Sequence, residues 1–175
     1  MMATMELPTT VELRPPQPGD LGWIIERHGA FYAAEYALDV HFEALVARIC
    51  ADFVDRLSAE REACWIAARG AERLGSVMLV RARDEATGDV REGVAQLRLL
   101  LLEPRARGLG IGKRLVRRCS DFARGAGYAR ITLWTQSELT SARAIYSAEG
   151  YALVHSEALT SFGRQVISER WELRL

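Results

Sequence analysis

The chain has 175 residues, the length of one ordinary domain, and its 49% apolar and 26% charged side chains are the balance of a soluble globular protein. Lys plus Arg and Asp plus Glu each number 23, so no overall field draws it toward nucleic acid or an anionic membrane, and any anion recognition must be local. The N-terminal prolines without a basic-then-apolar segment argue against a secretory signal, and no apolar run is long enough to cross a bilayer. Cys50, Cys64 and Cys119 form no C-x-x-C pair and no His/Cys/Asp/Glu set has metal spacing, which predicts a reducing, cytoplasmic setting without a metal.

Residues 1–8 are expected to form a frayed leader, and 9–175 a single domain. Thr10 to Arg14 alternates and stops at Pro15-Pro16, as a short strand would. Asp20 is placed to cap a short helix, Leu21 to His28, that ends at Gly29, with an irregular aromatic stretch from Phe31 to Tyr36 behind it. Asp39 opens a clearly amphipathic helix with Phe42, Leu45, Val46, Ile49, Cys50 and Phe53 on one face. Cys64 to Ala68 reads as a strand turning at Gly70 to Arg73 into a second, Leu74 to Val80.

The charged span Arg83 to Glu92 reads as a loop, followed by a long strand, Val94 to Leu102, ended by Pro104. Alternation there puts Leu97, Leu99 and Leu101 on one face and Gln96, Arg98, Leu100 and Leu102 on the other. A helix follows the Gly108–Gly112 run, with Ile111, Leu115, Val116, Cys119, Phe122 and Ala123 on its apolar face. Ile131 to Thr135 is a strand, Ser141 to Glu149 a helix stopped by Gly150, and Tyr151 to His155 and Val166 to Leu173 are closing strands. The order β-α-α-β-β-β-α-β-α-β-β, with a parallel unit around residues 94–135 and antiparallel hairpins, predicts a mixed α/β sheet.

Arg107-Gly108-Leu109-Gly110-Ile111-Gly112-Lys113 joins a strand to a helix. Free N–H groups at a helix start, and the positive end of its dipole, make an anion site that glycines let an anion approach. Six basic residues and no acidic one lie between Arg105 and Arg118, which points to phosphate. A Walker loop fails because Arg107 stands where its first Gly is needed and Arg114 follows the Lys. A Rossmann turn fails because the spacing is G-x-G-x-G.

What remains is R-x-x-G-x-G after Glu103-Pro104, which resembles the coenzyme A pyrophosphate motif of the GNAT acyltransferases. Leu97 to Pro104 resembles that family's fourth strand, Ile131 to Thr135 its fifth, and Ala142 to Tyr151 its A-x-x-x-Y-x-x-x-G-[FY] helix and turn. Arg14-Pro15-Pro16, His28-Gly29, Leu133-Trp134-Thr135 and Ser161-Phe162-Gly163 are similar to GNAT domains often fused behind MarR-type winged-helix regulators, though the chain shows no winged-helix segment.

The resemblance implies a mostly antiparallel sheet whose central parallel pair splays to admit acetyl-CoA. Leu100, Leu101 and Leu102 would pair with the pantetheine, and Arg107, Gly108, Leu109, Gly110, Ile111, Gly112 and Lys113 would hold the pyrophosphate. Gln136 would stand in for the family's usual Asn, and Ala142 would leave room for the cofactor. Tyr146 would be the general acid. Tyr32 and Glu35, clustered with His28 and Tyr36, would line the acceptor site, with Glu35 a candidate base. Gln96 and Arg98 stand where many relatives place a proton-relaying Glu. The implied activity is acetyl transfer to a primary amine of a small molecule or peptide. The alternative is a weakly catalytic or non-catalytic acyl-CoA sensor acting through a partner. Neither implies nucleic acid, membrane or metal, and family relatives are often homodimers.

Overall fold

The computed structural model describes residues 10–175, so the expected leader at 1–8 lies outside the described residues. The elements are β1 (Glu12–Arg14), α1 (Asp20–Tyr36), α2 (Val40–Asp55), β2 (Ala63–Arg69), β3 (Glu72–Arg83), β4 (Val90–Leu102), α3 (Ile111–Gly125), β5 (Arg130–Gln136), α4 (Thr140–Ala148), β6 (Ala152–Ser161) and β7 (Arg164–Arg174). They follow the predicted order. Among the described residues seven strands make one sheet in the order β1-β2-β3-β4-β5-β7-β6, in which only β4 and β5 are parallel. On one face Ile24 of α1 and Val46, Ile49, Cys50 and Phe53 of α2 bury against Cys64, Ile66, Ala68 and Met78. On the other, Leu115, Val116, Cys119 and Ala123 of α3 pack on Trp65, Val77, Ala95, Ile131 and Leu133.

Three local expectations are corrected. The first helix does not stop at Gly29: α1 runs on through the aromatic segment to Tyr36 and ends at Ala37, whose φ is 53°. A Cβ at Gly29 would lie 2.4 Å from Glu43 Oε2, so this glycine admits the neighbouring helix at a cost to helix propensity of about 1 kcal/mol. Nor does Asp20 cap α1, because Gly19 holds that position. Asp20 is instead a fully buried carboxylate that accepts bonds of 2.6 Å each from Arg14, the Gln17 amide and Arg73. Burial alone would raise its pKa, but those donors hold it down to about 2.

The third correction shapes the site. Ser76 pairs with Leu101 but Met78 with Arg98, so Leu99 and Leu100 together face the single residue Val77 in a β-bulge. Leu99 takes a φ of 53°, and its carbonyl accepts a 3.1 Å bond from the Ser76 hydroxyl. Simple alternation therefore fails: Leu99 joins the α1–α2 core, while Leu97, Leu100 and Leu102 lie on the α3 side.

Past the bulge the sheet opens. Pairing of β4 with β5 is confined to Val94, Ala95 and Gln96 opposite Arg130, Ile131 and Thr132, although β4 continues to Leu102 and β5 to Gln136. The β6–β7 hairpin is longer than expected and turns through Phe162 (φ 52°) and Gly163 (φ 83°). Its tip seats on the α1–α2 junction, where the Asp39 N–H donates to Phe162 O at 3.1 Å and the Phe42 and Phe162 rings lie 5.3 Å apart.

Candidate functional site

Two adjoining cavities fill the opening between β4 and β5, one of about 390 Å³ and one of about 290 Å³. Tyr32, Leu100, Leu139 and Ala142 line both, so they read as one groove crossing the sheet. The smaller part runs past Leu100, Leu101 and Leu102 to Arg107 and Gly108. The larger holds Tyr146 and Gln136 on one side and His28, Gln96 and Arg98 on the other.

At the mouth of α3 the main chain is bare. Glu103 donates its N–H to Leu74 O, Ala106 to Glu103 O and Arg107 to Pro104 O. From Gly108 to Lys113 no backbone N–H has an acceptor in hydrogen-bond geometry among the described residues. Gly108 and Gly110 have φ values of 75° and 73°, a conformation costly for any side chain, and an added Cβ at either would meet nothing within 4 Å. Six consecutive donors around left-handed glycines at a helix start make a concave anion cradle. Gly112 serves packing: its Cβ would stand 2.7 Å from Ile145 Cδ1 and 2.9 Å from Leu102 Cδ1.

The basic side chains of this segment are mostly committed elsewhere. Arg105 pairs with Glu72 at 3.1 Å, and Lys113 and Arg117 pair with Glu149 at 3.6 and 3.0 Å. Arg114 donates to Val11 O. Arg107 binds Glu35 at 3.2 Å and lies over the Phe31 ring. The amide of Arg107 is also satisfied internally, so it is the main chain from residue 108 onward that is left to take an anion. Glu35, expected at the acceptor end, thus sits beside the glycine turn.

Tyr146 and Ala142 lie one turn apart on α4, both facing the larger cavity. The Tyr146 ring is buried against Tyr151 and Trp171, at 5.8 and 6.5 Å, and its hydroxyl has no partner among the described residues. Burial pushes its pKa well above the ordinary phenol value. The helix is pinned from behind: buried Glu169 accepts 2.9 Å bonds from both Arg143 and the Trp171 indole. Tyr32 packs between His28, Tyr36 and Phe42 and does line the groove. His28 donates Nδ1–H to Ile24 O at 2.8 Å, which leaves Nε2 as the acceptor, and burial lowers its pKa to about 4.

Gln136 Oε1 is buried without a hydrogen-bond partner. The chain thus offers what an elongated amide-containing anion needs: a bare cradle, an unpaired strand edge and a waiting amide oxygen. Sequence reasoning gives no binding role to Arg98 or Trp134, which also line the larger cavity. A charged residue in a buried strand was the available signal for the first. Among the described residues, no helix is long and apolar enough to cross a membrane, and no cluster of three or more His, Cys, Asp or Glu could hold a metal ion.

The model of the acetyltransferase (GNAT) family matches residues 22–151. The chain is 32% identical over 102 residues to N-acetyltransferase 8F1 of Rattus norvegicus, covering 58% of this chain and 45% of that protein. It is 32% identical over 77 residues to mycothiol acetyltransferase of Beutenbergia cavernae, covering 44% of this chain and 24% of that protein. The chain therefore spans less than half the length of these curated relatives. Among solved structures, yncA of Salmonella typhimurium with its cofactor acetyl-CoA superposes with a TM-score of 0.75 at 15% identity, over 94% of this chain and 93% of that one. A ribosomal-protein-alanine N-acetyltransferase from Brucella melitensis gives 0.74 at 17% identity, over 94% and 99%. At such identities the likeness carries the fold.

Proposed function

The chain belongs to the acetyltransferase (GNAT) family, and from that premise we propose that it is an acyl-CoA-dependent N-acetyltransferase acting on a primary amine of a small molecule or peptide. The observation that carries this reading is the groove itself. It joins six unsatisfied main-chain donors at one end to a buried, unpartnered phenol at the other, through a sheet that has parted between them.

Acetyl-CoA, when bound, supplies the acetyl group as a thioester. The N–H groups from Gly108 to Lys113 hold its diphosphate, and the unpaired edge of β4 at Leu100 to Leu102 meets its amides as an added strand would. Gln136 Oε1 accepts a bond that the empty fold does not provide. A β4 N–H beside the bulge polarises the reacting carbonyl, the bulge being what turns that edge into the opening.

Tyr146 keeps its proton at all physiological pH, because burial disfavours the phenolate. Its pKa lies above the thiol value of about 8.5, so it steadies the departing sulfur by hydrogen bonding, and the net proton comes from the amine nitrogen, which attacks neutral and becomes cationic as the new C–N bond forms. His28, held near 4, is a poor sink for an alkylammonium proton, so the amine must arrive neutral and turnover rises with pH up to the amine's own pKa.

The test is free-thiol release from acetyl-CoA with pooled amines, run beside the CoA-induced rise in melting temperature that mass action requires of a true ligand. Thermal stabilisation with thiol release supports the reading. Stabilisation without release from any amine favours an acyl-CoA sensor, and no stabilisation removes both.

A further inference from the structure

The acceptor side of the cavity of about 390 Å³ carries a cation with no partner among the described residues. Arg98 projects from β4 toward α2, half-buried, and lines this cavity together with Tyr146. Among the described residues its guanidinium makes no hydrogen bond and no ion pair. Its nearest compensating charges, Glu85 and Asp52, act only at a distance. In a neighbouring cavity of about 730 Å³, which Arg98 also lines, Thr132 Oγ1 and Arg170 Nε are buried without a partner. The Arg170 guanidinium lies 5.7 Å from the Trp134 ring centroid and only 4.0 Å from Glu172.

A half-buried guanidinium beside a cavity, with no counter-charge in contact, gains a charge-assisted hydrogen bond when a ligand brings the anion. The planar fork of Arg suits a carboxylate, which it grips with two parallel bonds. The local charge fits one carboxylate better than a phosphate dianion. Arg170 is shared with Glu172, Glu85 stands at the rim, and Asp84 beside it is occupied by the amides of Ala86 and Thr87. Burial also lowers the Arg98 pKa, in keeping with a cation short of partners.

We propose that the acceptor is an amine bearing a carboxylate, of the amino-acid class, and that Arg98 is the residue that binds this carboxylate. That the amine end is acetylated rests on the acetyltransferase reading; the carboxylate subsite rests on Arg98 and its place beside Tyr146 in the cavity.

Calorimetric binding in the presence of CoA separates the two. The ligands are N-acetylalanine, N-acetylphenylalanine and N-acetylglutamine and the carboxamide of each, which mimics a peptide continuation. At least one acid is expected to bind about 10- to 150-fold more tightly than its amide, the range of a charge-assisted hydrogen bond. Arg98→Met should abolish that difference and Arg98→Lys should keep part of it, with an undiminished CoA thermal shift reporting that each variant folds. Equal binding of acid and amide to the wild type, binding of none of the acids, or selectivity that survives Arg98→Met overturns the proposal. Thiol release from acetyl-CoA is then measured with free alanine, phenylalanine and glutamine and their amides. Selective binding without release would remove the transferase reading and leave the subsite standing. Release with acid and amide alike would do the reverse.

Discussion

The two ends of the groove solve opposite problems. At the glycine turn the side chains are nearly all paired, and the main chain from Gly108 to Lys113 is bare. At the far end it is side chains that are left waiting: Gln136 Oε1, buried without a partner, and beside it in the same cavity the Tyr146 hydroxyl and the Arg98 guanidinium, which make no hydrogen bond among the described residues. A main-chain cradle recognises only charge and shape, which suits a donor common to many enzymes. Unpartnered side-chain groups around a cavity recognise particular atoms, and a buried one costs stability until its partner arrives.

The largest expected effect lies at the side-chain end. Tyr146→Phe removes a hydroxyl that makes no hydrogen bond among the described residues, so melting temperature and CoA binding should hold while kcat falls about 100-fold, the loss expected when one donor to a developing negative charge is removed. Stopped assays of thiol release at several pH values check this. In the wild type the rate should climb with pH and track the pKa of whichever amine is used, since neither Tyr146 nor His28 titrates near neutrality. A kcat unchanged by the mutation would take Tyr146 out of the chemistry.

Gly110→Val probes the other end. The φ of 73° is strained for a β-branched residue by about 1–3 kcal/mol, yet an added Cβ meets nothing within 4 Å. The variant should fold with modest loss of stability and bind CoA about 10- to 100-fold more weakly, read by calorimetry. Gly112→Val should instead fail by overpacking against Ile145 and Leu102, with a large drop in melting temperature. If both glycines behave alike, the division between cradle and packing positions is wrong.

The two ends differed just as sharply in how far sequence disclosed them. Glycines at fixed spacing between a strand and a helix state a backbone requirement directly, so the turn at Gly108 to Gly112 could be read from their spacing. The helix at Ala142 to Tyr146 was legible for the same reason, its period being local. The bulge was not: Leu97 to Leu102 is apolar at nearly every position, and nothing in such a run says where one residue is inserted. Gly29 misled because the helix stop it signals and the close helix contact it serves call for the same residue. Strand β6 was cut short because both its faces are exposed along most of its length, leaving no alternation to follow. Arg98 looked like a mere departure from a pattern; that it lacks a partner is a fact of tertiary structure.

A subtler effect distinguishes a binding group from a structural one. Gln136→Leu deletes a buried oxygen that the free protein leaves unsatisfied, so the empty protein should gain about 1 kcal/mol of stability. The same change should weaken CoA about tenfold, as one lost hydrogen bond would. Opposite signs in the two measurements, melting temperature without ligand and affinity with it, are the signature expected. Loss of stability in the empty protein would mean that Gln136 belongs to the scaffold.

The smallest effect is expected where the sequence drew most attention. Six basic residues crowd the turn, but Lys113 and Arg117 are both engaged by Glu149, and they are exposed enough for solvent and salt to screen them. Converting both to Gln should change CoA affinity less than about fivefold at physiological salt, with the difference shrinking as salt is added. Calorimetric titrations at two salt concentrations would measure it. Glu149 complicates the reading in a useful way: freed of both partners it stands near the turn as an uncompensated anion, so even a small loss overstates what the two cations contribute. A loss beyond about tenfold would mean that side-chain charge, and not the row of bare amides, holds the diphosphate, and the contrast between the two ends of the groove would disappear.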